Sequence, residues 1–493
     1  MFQISCTFRN QKYYWMKRTV LCSFAIALTI TAGAFSDKNP VLSVDGGQVQ
    51  GIQAETPGVY IYRGIPFAAA PTGDLRWKDP QPVTPWEGVK VADEFCNACM
   101  QAAHHEGEFY QKEFFDEGDA PYSEDCLFLN IWTPAPGKTN EDLPVAVWIH
   151  GGGFVAGWGF EKEMDGEAWA ERGVVLVTIN YRLGIFGFLA HPELSAESPH
   201  NTSGNYGILD QIAALNWVKN NIAQFGGDPD NIMIFGQSAG AMSVKTLVAS
   251  PLAGPLISKA VIMSGGGISE NPPLGGNALE TAAQNGKKVM DWAGYKTLKE
   301  MRAASAEEVF PLGWNYAAET GQRVSFSPII DGYVSEESFS SAVMANRVPD
   351  VPYMIGSVMD DIPFLASEES LGAFCLEREK AGNKAYAYQF ARAVPGDDAG
   401  AYHSSELWYI FHTLDRAWRP FTAEDKVLSN VMIDAWTNFA KYGDPNGPDG
   451  GEWTPYTAQS PEYMVFKLDS AGREDSSMGQ PVPSSRPENS GGR

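Results

Sequence analysis

Asn231-Ile232-Met233-Ile234-Phe235 is an apolar run that ends in Gly236-Gln237-Ser238-Ala239-Gly240 and passes at once into Met242, Val244, Leu247 and Val248, apolar positions at helical spacing. A buried strand, a sharp turn and a helix in so few residues leave few folds open. Residues two before and two after the serine face each other's backbone across such a turn, so glycine is needed at both. The serine is forced into strained backbone, and its hydroxyl stands clear of the sheet. This is the context in which Gly-x-Ser-x-Gly presents a nucleophile. Alone, the motif also fits a plain tight turn of small residues, so its meaning depends on partners elsewhere in the chain.

The first partner lies upstream. Pro144-Val145-Ala146-Val147-Trp148-Ile149 is a fully apolar strand, and His150-Gly151-Gly152-Gly153 follows it directly, with Gly152 placed 238 − 152 = 86 positions before Ser238. Acyl transfer passes through a tetrahedral intermediate whose oxyanion needs oriented donors, and backbone N–H groups on a glycine loop supply them without a Cβ in the way. The glycines of this loop supply donors, and the N–H of Ala239, the first residue of the helix, is expected as the third. The second partner is a base. Only His403 and His412 lie beyond Ser238. His403 stands in a loop after the apolar strand 384–390, where a base belongs; His412 follows the apolar run Trp408–Phe411 and reads as a packed side chain. The third partner is an acid to orient the histidine. It belongs after strand 351–355, where Asp360 and Asp361 are adjacent and spacing does not separate them.

Strands alternating with helices place the chain in the α/β class, with a mostly parallel central sheet flanked by helices and an antiparallel edge from 41 to 67. Ile208, Ile212, Leu215, Val218 and Ile222 mark an amphipathic helix, and 428–439 another that stops at Gly443-Asp444-Pro445. The long irregular stretch 96–122 carries Phe109, Tyr110, Phe114 and Phe115, which either line a pocket or pin the loop. Residues 1–34 form a secretory leader: basic Lys17 and Arg18, a short apolar run, and Ala32-Gly33-Ala34 as cleavage site. One domain then runs from 35 to 470, and 471–493 is a polar, flexible tail. After cleavage nothing remains to hold the protein in a membrane, so it is secreted or periplasmic. A net charge of −24 repels phosphate backbones and excludes nucleic acid as a partner. Cys96, Cys99, Cys126 and Cys375 remain in the mature chain, and four cysteines allow three full pairings.

The motifs together resemble the type-B carboxylesterase/lipase family of the α/β-hydrolases, over about residues 40 to 470. The resemblance rests on Phe225-Gly226-Gly227 running into Gly236–Gly240, on Glu124-Asp125-Cys126-Leu127-Phe128-Leu129-Asn130, on Arg63-Gly64-Ile65-Pro66 with Leu75-Arg76-Trp77, and on Asn438-Phe439-Ala440-Lys441-Tyr442-Gly443-Asp444-Pro445. It implies a serine esterase acting on a small-molecule ester with no metal or organic cofactor. Ser238 is then the nucleophile, His403 the base, and Gly152, Gly153 and Ala239 the oxyanion hole. Asp361 falls where most members carry Glu, and Ser264 matches a supporting serine beside the triad. The resemblance also pairs Cys99 with Cys126, which leaves Cys96 and Cys375 as free thiols. Only 403 − 361 = 42 positions separate acid and histidine, fewer than is usual, which implies a more open site. No Trp stands between Cys99 and Cys126, which disfavours a quaternary ammonium substrate. An amidase or thioesterase would use the same machinery, and a non-catalytic adhesion protein could share the fold.

Overall fold

The computed structural model describes residues 39–269 and 277–481. The expected leader lies outside them. A sheet of 11 strands forms the centre. In chain order these are β1 (Ile52–Gln53), β2 (Tyr60–Pro66), β3 (Phe128–Thr133), β4 (Leu143–Ile149), β5 (Val175–Ile179), β6 (Gly227–Gln237), β7 (Lys259–Met263), β8 (Tyr353–Val358), β9 (Ala385–Phe390), β10 (Tyr463–Phe466) and β11 (Ser477–Gly479). Their spatial order is β11-β10-β9-β8-β7-β6-β4-β5-β3-β2-β1. From β5 to β10 every pairing is parallel. β1, β2 and β3 close one edge antiparallel. The fold is that of an α/β-hydrolase.

Two expectations change. Val41–Val44 does not join the edge of this sheet; it pairs with Gly47–Gln50 in a separate three-stranded sheet completed by Val89–Val91. The segment expected as a flexible tail from 471 supplies β11, antiparallel to β10, so the domain runs at least to Gly479. A polar sequence can do this because ladder bonds are made by backbone, and an edge strand has one neighbour to satisfy.

Both faces of the sheet are covered, which is why the central strands are apolar throughout rather than alternating with polar residues. Val145, Val147, Ile149, Ile232 and Ile234 point into one buried cluster, and Ala146, Trp148, Met233 and Phe235 into the other. Besides α1 (Phe109–Phe114), three helices matter for the site: α2 (Tyr206–Asn221), α3 (Ala239–Ala249) and α4 (Ala423–Tyr442). The first cluster takes Ile208, Ile212 and Leu215 of α2 with Val244 and Leu247 of α3; the second takes Leu428, Met432, Ile433, Trp436 and Phe439 of α4. α4 is longer than its apolar pattern because a capping box at Thr422 and Asp425 starts it five residues earlier, and Gly443 in the left-handed region ends it. All these parallel strands end on the same side, and the candidate residues gather there.

Candidate active site

β6 runs straight into α3, and Ser238 between them has φ 57°. The turn is closed by backbone contact. A Cβ at Gly240 would come within 2.0 Å of the Ile149 carbonyl oxygen, and one at Gly236 within 2.6 Å of the Gly240 carbonyl. Ser238 sits at the N-cap of α3 without its side chain capping it. Its N–H instead donates to the Met263 carbonyl at 2.9 Å, which ties this serine to the end of β7. Ala239 opens the helix, where backbone N–H groups have no partner within the helix.

The glycine loop after β4 lies directly against this turn. A Cβ at Gly151 would meet the Gln237 carbonyl at 3.0 Å, Gln237 Oε1 at 3.1 Å and Ser238 Cβ at 3.3 Å. Gly152, at φ 95°, turns the chain so tightly that its carbonyl accepts from both Val155 and Ala156 N–H at 3.0 Å. A Cβ there would strike the Ala156 carbonyl at 2.0 Å, whereas Gly153 has space and is required by its φ of 64° alone. His150 is buried beneath the loop and stacks on Tyr181 at 4.4 Å. Burial holds its imidazole down to about 4, so the ring is neutral and puts no competing charge under the glycines.

His403 donates from Nδ1 to Asp361 Oδ1 at 2.5 Å. The side chain of this aspartate is fully buried and that of the histidine nearly so. The Gln237 side-chain nitrogen lies against this ring, 3.2 Å from Nε2 and 3.4 Å from Nδ1. Gln237 therefore spans from the glycine loop to the histidine. Asp360 points elsewhere: its Oδ2 accepts from the Ala401 N–H at 2.8 Å, and its backbone bridges to Tyr402. His412 bonds to the Ser429 hydroxyl at 2.7 Å, away from this group.

Ser264 follows β7 with φ 51°, and its N–H donates to the Gly356 carbonyl at 2.8 Å. It shares a buried space with Glu406 and Asp361. Burial pushes the Glu406 carboxyl up to about 8; the charge of Asp361 pushes the same way, while Glu406's own N–H and the Ser264 hydroxyl oppose it. Glu406 thus favours its neutral form near pH 7, beside the carboxyl that bonds to His403. The sequence placed Glu406 three residues after His403 but carried no sign of its burial. Gln237 was equally silent, because its role depends on where the glycine loop lands.

The Cys99–Cys126 disulfide closes the loop that carries α1, and Cys96 and Cys375 are free thiols. Within it Phe114 and Phe115 are buried and pin the loop, while Phe109 and Tyr110 are exposed. The Tyr110 hydroxyl donates to the His403 carbonyl at 3.3 Å, and Phe109 packs edge-on against Tyr402 at 4.9 Å. Behind them Glu113 binds Arg419 through two bonds of 2.6 and 2.9 Å and accepts from the Tyr402 hydroxyl at 2.8 Å. A cavity of about 700 Å³ opens here, with Phe109, Tyr110, Asp361 and His403 in its wall. Both ends of the acid-to-histidine segment, 360–363 and 397–403, contribute to its wall. A second cavity of about 660 Å³ lies on the other side of the turn, against α3 and the Phe154 that follows Gly153. Among the described residues, no three His, Cys, Asp or Glu side chains are grouped to hold a metal ion, and no helix is long and apolar enough to cross a membrane.

Comparison with known proteins points the same way. The model of the Carboxylesterase family matches residues 38–374 and 369–480. Fumonisin B1 esterase of Sphingopyxis macrogoltabida is 38% identical over 68% of the chain, a match that spans 60% of that relative. The bile salt-activated lipase of Rattus norvegicus is 32% identical over 88% of the chain and 82% of its own length. Among solved structures, a PNB esterase superposes with a TM-score of 0.75 at 28% identity, covering 89% of this chain and 97% of that one. A carboxylesterase of Geobacillus stearothermophilus does so with a TM-score of 0.73 at 32% identity, with the same coverage.

Proposed function

The chain belongs to the carboxylesterase family, and on that premise we propose that it is an exported serine carboxylesterase working through an acyl-enzyme on Ser238. The observation that carries the reading is the Asp361–His403 bond of 2.5 Å, made by a histidine whose ring lies against Gln237, the residue next to Ser238. Asp361 holds Nδ1–H, which leaves Nε2 as the base. Nε2 takes the Ser238 proton as the hydroxyl oxygen attacks the ester carbonyl. The carbonyl oxygen becomes an oxyanion, held by the N–H groups of Gly152, Gly153 and Ala239. His403 then gives its proton to the departing alcohol, and water repeats the sequence to free the acid. The alcohol must leave past His403, toward the cavity at Tyr110; the acyl part stays on Ser238, toward α3.

Export is supported by the leader at 1–34 and by a disulfide, which persists in an oxidising compartment. Sequencing the N-terminus of the mature protein checks it: the first residue should be Phe35. For the chemistry, Ser238→Ala should lower kcat on p-nitrophenyl butyrate by on the order of 10⁴-fold or more and abolish covalent labelling by an organophosphate. Labelling that survives in this variant would place the nucleophile elsewhere.

A further inference from the structure

The cavity on the α3 side is walled by the continuations of four segments that meet at the turn. Phe154 follows Gly153, Met242 is one turn beyond Ser238, Gly265 follows Ser264, and Phe364 stands three residues after Asp361. One cation stands in that wall. Lys245 lies on the face of α3 that also carries Ser238 and Met242, about 10 Å of helix rise beyond the serine. Its ammonium donates to the carbonyls of Gly265, Gly266 and Gly267 at 3.1, 3.1 and 2.9 Å, and lies 5.0 Å over the Phe339 ring. Among the described residues it has no ion-pair partner. Of the two glutamates in the same wall, Glu337 is bound to Arg347 and Glu369 is exposed. Burial alone pushes the ammonium, down to about 8, and no nearby carboxylate counteracts it.

Three carbonyls fix a charge in place but do not cancel it. A largely buried charge with no counter-ion among the described residues is costly, and a free carboxylate entering the cavity would relieve it. Exchanging one carbonyl for that carboxylate replaces a charge–dipole bond with a charge–charge bond. Taking Ser238 as nucleophile, as above, we propose that this cavity holds the acyl part of the substrate and that Lys245 selects acyl groups ending in a carboxylate, so that the substrates are partial esters of short dicarboxylic acids. Lys245 is then a specificity-determining residue. Its helix offset sets the acyl chain at about four to six carbons, because the lysine side chain leans back toward the serine.

The test compares two esters of equal length, mono-p-nitrophenyl glutarate and p-nitrophenyl valerate. The ratio of their kcat/KM values should fall about 30-fold in Lys245→Met and in Lys245→Gln, and stay within about threefold of wild type in Lys245→Arg. Gln can still donate to the carbonyls, so it carries the test should the Met variant fold poorly. A lysine that only clasps the Gly265–Gly267 loop would slow both esters alike and leave the ratio unchanged, which overturns the proposal. Binding separates this result from a failure of the esterase reading. Calorimetry on Ser238→Ala should show monomethyl glutarate binding more tightly than methyl valerate, and adding Lys245→Met should erase the difference; equal binding of the two methyl esters by Ser238→Ala also overturns it. If binding holds while wild type hydrolyses neither ester, the esterase reading falls and the carboxylate site stands.

Discussion

The two halves of the active site are built by different means. The half around Ser238 is made of backbone: Gly236, Gly240 and Gly152 each have another peptide where a side chain would begin. The half around His403 is made of side chains that reach across long stretches of chain. His403 bonds to Asp361, Gln237 comes within 3.2 Å of its other nitrogen, and Tyr110 bonds to its carbonyl. One half has no slack, and the other borders an open cavity. Substitutions should therefore fail differently in the two halves. In the first they should cost the fold; in the second they should spare the fold and cost the chemistry.

Gly240→Ala tests the first half and should have the largest effect. Its Cβ would sit 2.0 Å from the Ile149 carbonyl oxygen, inside the junction of β4, β6 and α3. Backbone cannot step aside there without opening the central sheet, so we expect several kcal/mol of destabilisation and little soluble protein. A well-folded, active Gly240→Ala would show that the turn has slack and erase the contrast.

Asp361→Asn tests the second half. The amide cannot hold the histidine tautomer, and kcat should fall on the order of 10³- to 10⁴-fold with thermal stability nearly kept. Asp360→Asn should cost less than about tenfold, since an amide oxygen still accepts from the Ala401 N–H. Equal losses from the two would mean that the loop can present either carboxylate.

The Cys99–Cys126 disulfide should matter at an intermediate level. It closes a loop with a sequence separation of 27, worth about 3 kcal/mol through the unfolded chain. The loop is also held by the buried Glu113–Arg419 pair, so the double Cys99→Ala/Cys126→Ala variant should melt earlier yet keep α1 against His403 and retain most of its kcat. A loss of kcat as large as that of Asp361→Asn would show that the disulfide positions the histidine.

The contrast also explains what the sequence could tell. Glycine requirements are local, so the strand–turn–helix around Ser238 and the loop after β4 are legible as short motifs. The apolar runs of β4 and β6 mark them as central strands because both faces are buried. The choice between Asp360 and Asp361 is different. Adjacent residues after a strand face opposite ways, and which one faces His403 depends on the register in which Val358 pairs with Phe390 and Asp360 with Tyr402. Spacing holds no record of that register; only counting along the family pattern pointed to Asp361. Glu113 and Arg419 are 306 residues apart and carry no joint signature, yet they fix α1 beside the histidine loop. The start of α4 was missed because 423–427 lacks apolar periodicity, and β11 because its bonds come from backbone alone.

Glu406 gives the smallest and most specific effect, read in the pH dependence of stability. Its carboxyl is pushed from an ordinary value of 4.5 up to about 8, first by burial and then by the Asp361 charge. A carboxyl raised in this way holds its proton in the native state while the unfolded chain has lost it. Between pH 4.5 and 8 the native state therefore binds more protons, and stability must fall as pH rises. The contribution is complete below about pH 4.5 and is gone above about pH 8. Glu406→Gln keeps the shape and removes the titration. Urea unfolding at pH 5 and pH 8 should show the variant gaining on wild type as pH rises, with its own slope flatter. A constant difference between the two proteins at both pH values would mean that Glu406 is ionised in the fold, and that two carboxylates share the space behind His403.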